Sequence, residues 1–292
     1  MPNKFLSSKF LNKLAIISSL MRLDAPTGYL LAFFPAALGL LLGYEQRADL
    51  LYLPVFFLGS ILARGMGCII NDIFDQDIDK KVNRTKNRPL AGGHLTTAQA
   101  ILLLLFLSIC CLIILFSLTI TAIASGFIAF LMTILYPLTK RVTYFPQVFL
   151  GLTFNMGCLI GYATIKDSIS SDALILYIAF GCQTVAYDTI YAFMDIEDDK
   201  KIGVKSTAIF FEYRRYKLII ASLYIAFFAL YLFSFRELKS LIVLAGAILC
   251  VIISLWATVT LNVKDANNCL YRFKLNNYIG FILFFSLLLV KL

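Results

Sequence analysis

The sequence predicts an all-α membrane protein, and three observations lead to this fold class. Of the 292 residues, 60% are hydrophobic and the mean hydropathy is +0.85, whereas soluble domains are about 45–50% apolar. Apolar residues occur in charge-free runs long enough to cross a bilayer as helices, which takes roughly 20 residues. Stretches such as "ILLLLFLSICCLIILF" lack the polar–apolar alternation of membrane β-strands. We therefore expect a polytopic bundle of transmembrane helices.

Nine spans are predicted, and they use so much of the chain that residues 1–292 form a single membrane-embedded domain. The run 98–139 contains 42 residues without Asp, Glu, Lys or Arg. That is enough for two spans, so a turn is expected near Ser117–Thr121. Two charged loops, 71–97 and 194–215, follow the second and sixth spans. The predicted spans are approximately 25–44, 50–70, 98–117, 120–138, 145–165, 173–193, 216–235, 240–262 and 275–291.

The distribution of Lys and Arg predicts the orientation. When the nine spans alternate across the bilayer, 20 of the 26 basic residues lie on the side of the N-terminus and five on the other. Short loops rich in Lys and Arg stay in the cytoplasm. We therefore expect both charged loops to face the cytoplasm. No small-residue cleavage site follows the first span, so no removable signal peptide is expected.

Net charge and cysteine content exclude two classes of partner. The net charge of +9 fits basic loops that face an anionic leaflet. The spans leave no soluble basic domain, so the expected partner is the lipid bilayer and not nucleic acid. The seven cysteines form no CxxC pair and the chain has one histidine, which makes a Cys/His zinc site improbable.

The first charged loop begins with "NDIFDQDID", residues 71–79. At about 100° per residue, Asp72, Asp75 and Asp79 lie on one face of a helix. Asp77 lies about 140° from Asp72 and is expected to point elsewhere. The sequence therefore predicts three aligned carboxylates on a helical extension of the second span.

The second charged loop carries a similar stripe. Asp188, Asp195 and Asp199 lie within about 40° of one another on a helix. Asp188 belongs to the sixth span, where a charged residue costs roughly 2.5–3.5 kcal/mol on insertion scales and usually has a function. Together, the two segments hold 9 of the 17 acidic residues of the chain. Both stripes follow an even-numbered span, so we expect them on the same side of the membrane.

The residue types in these loops indicate a metal-chelated anionic substrate. Carboxylate oxygens are ligands for hard cations such as Mg²⁺, which bridges carboxylates to phosphate oxygens. Lys and Arg in the same loops are suited to holding a diphosphate. The alternative is a cation transporter that uses the acidic stripes as an ion path, although basic residues would repel its ion and transporter sites usually lie at mid-bilayer. The basic residues are Lys80, Lys81, Arg84, Lys86, Arg88, Lys200, Lys201 and Lys205.

These motifs resemble those of the UbiA superfamily of intramembrane prenyltransferases. "NDIFDQDID" fits its NDxxDxxxD motif, "DIEDD" its DxxxD motif, and "YPLTK" its YxxxK element. The segments "NRTKNRPL" and "YDTIYAFMDIEDDKKIGVKSTAI" resemble most the 4-hydroxybenzoate polyprenyltransferase branch. The resemblance covers nearly the whole chain. It implies nine helices around a central cavity that opens to the lipid, in a bacterial inner membrane.

The resemblance also implies the reaction. A polyprenyl group would pass from polyprenyl diphosphate to the ring of 4-hydroxybenzoate, with release of diphosphate and with Mg²⁺ as cofactor, as a step of ubiquinone biosynthesis. Haem B, dihydroxynaphthoate and homogentisate remain alternative acceptors, because prenyltransferases for them share the first motif.

Site residues follow from the resemblance, motif by motif. One Mg²⁺ would be held by Asn71, Asp72, Asp75 and Asp79, and a second by Asp195 and Asp199. Asp188 would line the same site as part of the catalytic set, with Asp72, Asp75, Asp195, Lys140 and Arg141. The candidates for holding the diphosphate are Lys140, Lys205, Arg84 and Arg88, and those for the benzoate carboxylate are Arg141 and Arg22.

Overall fold

The computed structural model describes the secondary structure of residues 3–292 and the side chains of residues 11–292. Two basic residues counted toward the predicted orientation, Lys4 and Lys9, have side chains outside the described set. The described chain forms helices and turns without any β-strand. Its α-helices, α1 to α14, are Asn3–Leu20, Thr27–Gly43, Tyr52–Phe74, Gln76–Asp79, Thr97–Leu115, Ile120–Val142, Pro146–Phe154, Met156–Lys166, Ser171–Ala192, Ile196–Ile202, Thr207–Phe211, Tyr216–Ser234, Leu241–Val259 and Ala266–Lys291.

The helices confirm a multi-pass membrane fold. Eight helical segments in the described chain are long and apolar enough to cross a membrane. The first predicted span corresponds to α2, which is apolar but has only 17 residues, so the predicted count of nine is approximate. The eight segments are Arg47–Phe74, Thr97–Leu115, Ile120–Val142, Pro146–Lys166, Ser171–Ile202, Tyr216–Ser234, Leu241–Val259 and Ala266–Lys291.

The last helix begins well before its predicted start at residue 275. The carboxylate of Asp265 accepts hydrogen bonds from the backbone N–H groups of Asn267 and Asn268, at 2.9 and 3.2 Å. Such an N-cap satisfies amides that have no partner within the helix. The polar segment "ANNCLYRFKLNN" is therefore helical, although it contains no apolar run that would predict a membrane helix.

Close contact between α2 and α8 holds the centre of the bundle together. A Cβ atom at Gly161 of α8 would lie 2.9 Å from the backbone nitrogen of Leu40 on α2. Helices in lipid associate through small residues that let their backbones approach. A larger side chain at Gly161 would push the two helices apart.

The helices differ in how much lipid they face. Only 11% of the apolar window of α5 and 17% of that of α6 are buried, against 56% in the segment Ser171–Ile202. The hairpin of α5 and α6 turns between Leu115 and Ile120, which confirms the predicted turn. It lies at the periphery, whereas α9 packs against α7, α12 and α14.

Two of the spanning segments are interrupted at an aspartate. The helix α3 ends at Phe74, and Asp75 adopts φ −105° and ψ 8° before α4 begins. The helix α9 passes through a short 3-10 turn, and Asp195 adopts φ −110° and ψ 7° before α10 begins. Each acidic motif therefore lies where a membrane helix is interrupted, and not on an uninterrupted helix.

Candidate active site

A cavity of about 1180 Å³ lies among the helices. Side chains of α2, α3, α5, α6, α8, α9 and α14 contribute to its wall. With the exception of Arg141, every site residue predicted from the sequence lines this cavity. These residues are Arg22, Asn71, Asp72, Asp75, Asp79, Arg84, Arg88, Lys140, Asp188, Asp195, Asp199 and Lys205.

The cavity is charged at one end and apolar along its length. Lys140 lies near the end of α6, whereas Gly126 and Phe127, which also line the cavity, lie near its beginning. This separation corresponds to about 20 Å of helix at 1.5 Å per residue. Apolar residues of α5, including Leu112 and Leu115, line the same far part. The arrangement suits a ligand with a charged head and a long apolar tail.

The carboxylates of the first motif point inward. Asp72, Asp75 and Asp79 are buried, with exposed fractions of 1%, 0% and 5%. The side chain of Asp77 is 92% exposed and pairs with Lys80 at 3.2 Å. This contrast confirms the orientation that helical periodicity predicted for Asp77.

Cations from three separate segments hold these carboxylates. Arg22 Nη2 donates to both carboxylate oxygens of Asp72, at 2.7 and 2.9 Å. Arg88 Nη1 donates to both oxygens of Asp79, at 3.0 and 2.9 Å, and Lys140 pairs with Asp75. Buried charges are tolerated when they are paired in this way.

One oxygen of Asp75 accepts no hydrogen bond. Its Oδ1 atom is buried without a hydrogen-bond partner, and Arg141 Nη2 lies 4.0 Å from it. Burial raises the pKa of the Asp75 carboxyl above its ordinary value, because it disfavours the charged form more than Lys140 stabilises it. A buried acceptor without a partner is unusual in a folded protein and indicates that a cation or a donor belongs there.

The second motif is held differently. Arg84 Nε donates to Asp195 Oδ1 at 2.8 Å, and Arg84 Nη1 donates to the hydroxyl of Tyr191 at 3.0 Å. Asp199 makes no ion pair within 4.0 Å among the described residues. The side chain of Asp195 is 17% exposed, so this motif is more open than the first.

Direct contacts join the two motifs. Arg84 belongs to the loop after the first motif, and its partner Asp195 belongs to the second. The backbone N–H of Asn83 donates to Asp198 Oδ2 at 3.4 Å. The N–H of Lys205 donates to the carbonyl of Lys140 at 3.0 Å. Segments more than 60 residues apart in the chain therefore form one charged site.

Two predicted anion-binding residues are engaged elsewhere. Arg141 does not line the cavity. Its Nη2 atom donates to the carbonyl of Phe74 at 2.7 Å and lies 4.0 Å from Asp75 Oδ1. Arg22, the other residue expected to bind a carboxylate ligand, holds Asp72. Both guanidinium groups thus have partners within the protein, and their placement does not favour a contact with a benzoate group.

Arg64 on α3 was missed among the candidate site residues. It lines the cavity, its Nε atom is buried without a hydrogen-bond partner, and no described ion pair involves it. The ring of Phe154 lies 5.7 Å from its guanidinium carbon. A Cβ atom at Gly28 would lie 2.6 Å from Arg64 Nε, so the glycine leaves room for this side chain. A basic residue inside an apolar span is itself a signal for function.

No cluster of three or more His, Cys, Asp or Glu side chains suited to one metal ion occurs in the described part of the chain. Asp72, Asp75, Asp79 and Asp195 are instead paired with Arg or Lys. Their donor chemistry still fits a hard cation, because all are oxygen ligands facing one cavity. The unpartnered Oδ1 of Asp75 is an available ligand atom.

Known proteins match both the sequence and the fold. The model of the UbiA prenyltransferase family matches residues 32–286. A 4-hydroxybenzoate octaprenyltransferase of Francisella tularensis subsp. tularensis (strain FSC 198) is 37% identical over 276 residues, which cover 91% of this chain and 93% of the relative. A protein of the same name from Shewanella oneidensis is 36% identical, covering 94% of this chain and 96% of the relative.

Solved structures share the architecture at low sequence identity. A UbiA homolog from Aeropyrum pernix K1 in its apo form superposes with a TM-score of 0.76 at 21% identity, covering 90% of this chain and 98% of that one. A UbiA homolog from Archaeoglobus fulgidus, bound to GPP and Mg²⁺, gives a TM-score of 0.73 at 19% identity, covering 94% of this chain and 99% of that one. These likenesses support the fold.

Proposed function

The chain belongs to the UbiA prenyltransferase family, and from this premise we propose that it transfers a polyprenyl group from polyprenyl diphosphate to the ring of 4-hydroxybenzoate. Diphosphate is released, and the reaction is a step of ubiquinone biosynthesis. Two of its relatives carry the name 4-hydroxybenzoate octaprenyltransferase. The observation that carries the proposal is a single cavity with both acidic motifs at one end and an apolar wall beyond them.

Mg²⁺ is the proposed cofactor. The residues assigned to it are Asn71, Asp72, Asp75 and Asp79 in the first motif and Asp195 and Asp199 in the second. When bound, Mg²⁺ neutralises charge that develops on the leaving diphosphate. The UbiA homolog from Archaeoglobus fulgidus that was solved with GPP and Mg²⁺ supports this choice.

The basic residues of the site are the proposed diphosphate ligands. Arg84, Arg88 and Lys140 hold carboxylates of the two motifs in the structure. A diphosphate offers them stronger acceptors, because guanidinium and ammonium groups pair well with phosphate oxygens. These cations therefore bind the diphosphate of the substrate and stabilise the leaving group. Lys205, at the same end of the cavity, adds positive charge.

The reaction needs no nucleophilic side chain. The bond between the allylic carbon and the diphosphate oxygen breaks, and the ring carbon ortho to the phenol forms a new bond to that carbon. The ring then loses a proton and regains aromaticity. Asp188 lines the cavity beside the motifs and contributes negative charge near the allylic cation. The apolar wall excludes water, which would otherwise capture the cation.

Arg64 is the proposed ligand for the carboxylate of 4-hydroxybenzoate. Its guanidinium lines the cavity without a described hydrogen bond or ion pair, unlike Arg22 and Arg141. Arginine binds carboxylates through several parallel donors. Arg64→Gln should raise the KM for 4-hydroxybenzoate by about 10- to 100-fold, the equivalent of a hydrogen bond to a charged group, and leave the KM for polyprenyl diphosphate nearly unchanged. Arg141→Gln is the matched control, and the assignment is wrong if Arg141→Gln alone raises the acceptor KM.

A turnover assay tests the activity. Purified protein in detergent receives a polyprenyl diphosphate, Mg²⁺ and, in parallel, 4-hydroxybenzoate, dihydroxynaphthoate, homogentisate or haem B. We expect prenylated 4-hydroxybenzoate and diphosphate in equal amounts. Product from another acceptor with none from 4-hydroxybenzoate would identify a different branch of the family. Ion flux in liposomes without turnover would support the transporter alternative, which the Arg and Lys partners of the carboxylates already disfavour.

The proposed location is a bacterial inner membrane, with the acidic motifs facing the cytoplasm. The excess of Lys and Arg in the segments on that side supports this orientation. Cysteines introduced singly at exposed positions in the loops 71–97 and 194–215 should react with a membrane-impermeant maleimide in inverted vesicles and not in intact cells.

A further inference from the structure

Arg272 lies on α14, away from the central cavity. Its neighbours Phe273 and Lys274 line that cavity, but Arg272 does not. Only 7% of its surface is exposed. Its Nε and Nη1 atoms are buried and have no hydrogen-bond partner. No described ion pair involves this residue, so a buried, permanently charged guanidinium lacks a counter-charge in the protein.

Aromatic rings surround this guanidinium. Its central carbon lies 4.2 Å from the ring centroid of Trp256 on α13 and 5.1 Å from that of Tyr271. A cation over an aromatic face gains about 0.5–2 kcal/mol, which is less than the cost of burying an unpaired charge. Arginine cannot escape this cost by losing its proton. The site therefore favours an anion.

The rings of Trp256 and Tyr271 also indicate how deep in the membrane the site lies. Trp256 is near the end of α13, and Tyr271 and Arg272 are near the beginning of α14, so all three lie beside the turn between the last two spans. Trp256 and Tyr271 are 48% and 52% exposed, at the ends of two segments long and apolar enough to cross a membrane. Trp and Tyr concentrate at the level of the lipid headgroups. Phosphate groups of the bilayer lie at this depth.

Two lysines lie beside the turn between α13 and α14. Lys217 Nζ donates to the carbonyl of Val259 at 2.7 Å, one helical turn from Trp256, and Lys264 is exposed in the turn. Asp265 is the one acidic residue between positions 260 and 275, and its carboxylate caps α14. This surface therefore complements a ligand with net negative charge.

We propose that Arg272 and Trp256, with Lys217 and Lys264 at the entrance, bind the phosphate headgroup of an anionic phospholipid. The phosphate supplies the counter-charge that Arg272 lacks, and the acyl chains lie along the apolar surface of α13 and α14. A zwitterionic lipid is a weaker ligand, because its own ammonium group neutralises the phosphate charge and is repelled by the two lysines.

Tryptophan fluorescence tests this proposal directly, because Trp256 is the only tryptophan of the chain. The protein is reconstituted in mixed phosphatidylglycerol and phosphatidylcholine bilayers in which one lipid or the other carries bromine on its acyl chains. Brominated lipid quenches Trp256 only when it occupies adjacent sites. Brominated phosphatidylglycerol should compete for these sites about fivefold better than brominated phosphatidylcholine, as expected for one basic residue near an anionic headgroup.

Variants assign the preference to Arg272. In Arg272→Gln, the two brominated lipids should quench Trp256 equally. Arg272→Lys should keep part of the preference for phosphatidylglycerol. Arg215→Gln, at an exposed arginine of the segment before α12, is the matched control and should keep all of it. Normalisation to bilayers without bromine removes any direct effect of a variant on Trp256 emission.

Three results would overturn the proposal. The first is equal quenching by both lipids in the unmodified protein, and the second is an unchanged preference in Arg272→Gln. The third concerns free phosphate. Addition of millimolar inorganic phosphate distinguishes the source of the anion. Loss of the preference on adding phosphate would mean that the site takes free phosphate, and would also refute a lipid headgroup site. None of these measurements depends on turnover.

Discussion

At both acidic motifs, a membrane helix is interrupted at an aspartate with nearly the same backbone angles, at Asp75 and at Asp195. The two motifs differ in how their carboxylates are held. In the first, three buried aspartates pair with Arg22, Arg88 and Lys140. In the second, the pairing depends mainly on Arg84, which comes from the loop of the first.

Similar backbone angles at the two motifs therefore do not lead to similar pairing of their carboxylates. The first motif is stabilised by cations from three segments. The second is more open, since Asp199 makes no described ion pair within 4.0 Å. We infer that the first motif is the fixed half of the diphosphate site and that the second adjusts when substrate binds.

The largest expected effect tests whether both halves are needed. Asp72→Ala and Asp195→Ala should each lower kcat with Mg²⁺ and polyprenyl diphosphate by more than about 100-fold, because each removes a proposed ligand of the Mg²⁺ that would neutralise the leaving diphosphate. Detergent-solubilised protein is assayed for turnover, and thermal unfolding shows that the variants remain folded. Near-normal activity in either variant would contradict the proposal of one site with two halves.

A smaller effect distinguishes the fixed half of the site from the adjustable half. It is the loss in free energy of unfolding when one arginine of each half is replaced. Arg88→Gln leaves the buried Asp79 without its partner and should lower the free energy of unfolding by about 3–5 kcal/mol. Arg84→Gln breaks a pair that is more exposed, and should lower it by about 1 kcal/mol. Unfolding of the ligand-free protein in mixed micelles measures both. A larger loss for Arg84→Gln would reverse the assignment of the two halves.

The smallest effect concerns the exposed carboxylate of the first motif. Asp77→Asn should change neither kcat nor the Mg²⁺ concentration at half-maximal rate, because its side chain faces solvent and pairs only with Lys80. Asp75→Asn, two positions earlier, is the comparison and should lose most activity. If Asp77→Asn weakens Mg²⁺ activation as strongly, the helical stripe does not define the site.

Local pattern explains what could be predicted from the sequence. Apolar runs identify the spans, and helical periodicity separates Asp77 from its inward-facing neighbours, because both depend on residues a few positions apart. Partners of the carboxylates could not be predicted in this way. Arg22 and Asp72 are 50 residues apart and Lys140 and Asp75 are 65 residues apart, so their pairing depends on how the helices pack.

Arg64 and α14 illustrate two other limits. Arg64 is a basic residue in the middle of a predicted span, but neither a charged-loop motif nor helical periodicity assigns it a role. The beginning of α14 is polar, and its helix depends on the N-cap at Asp265 and on packing. Hydropathy alone therefore does not reveal that the last helix begins before its apolar run.

The pairing of Arg22 with Asp72 has a consequence for how the protein is made. Arg22 precedes the first span and Asp72 ends the second, so this pair can form once a single helical hairpin has left the ribosome and entered the membrane. Lys140 can reach Asp75 only after two more helices follow, and Asp195 can reach Arg84 after two further ones. The charges thus meet in the order of synthesis, and no newly inserted carboxylate of the first motif has to wait for the end of the chain to be neutralised.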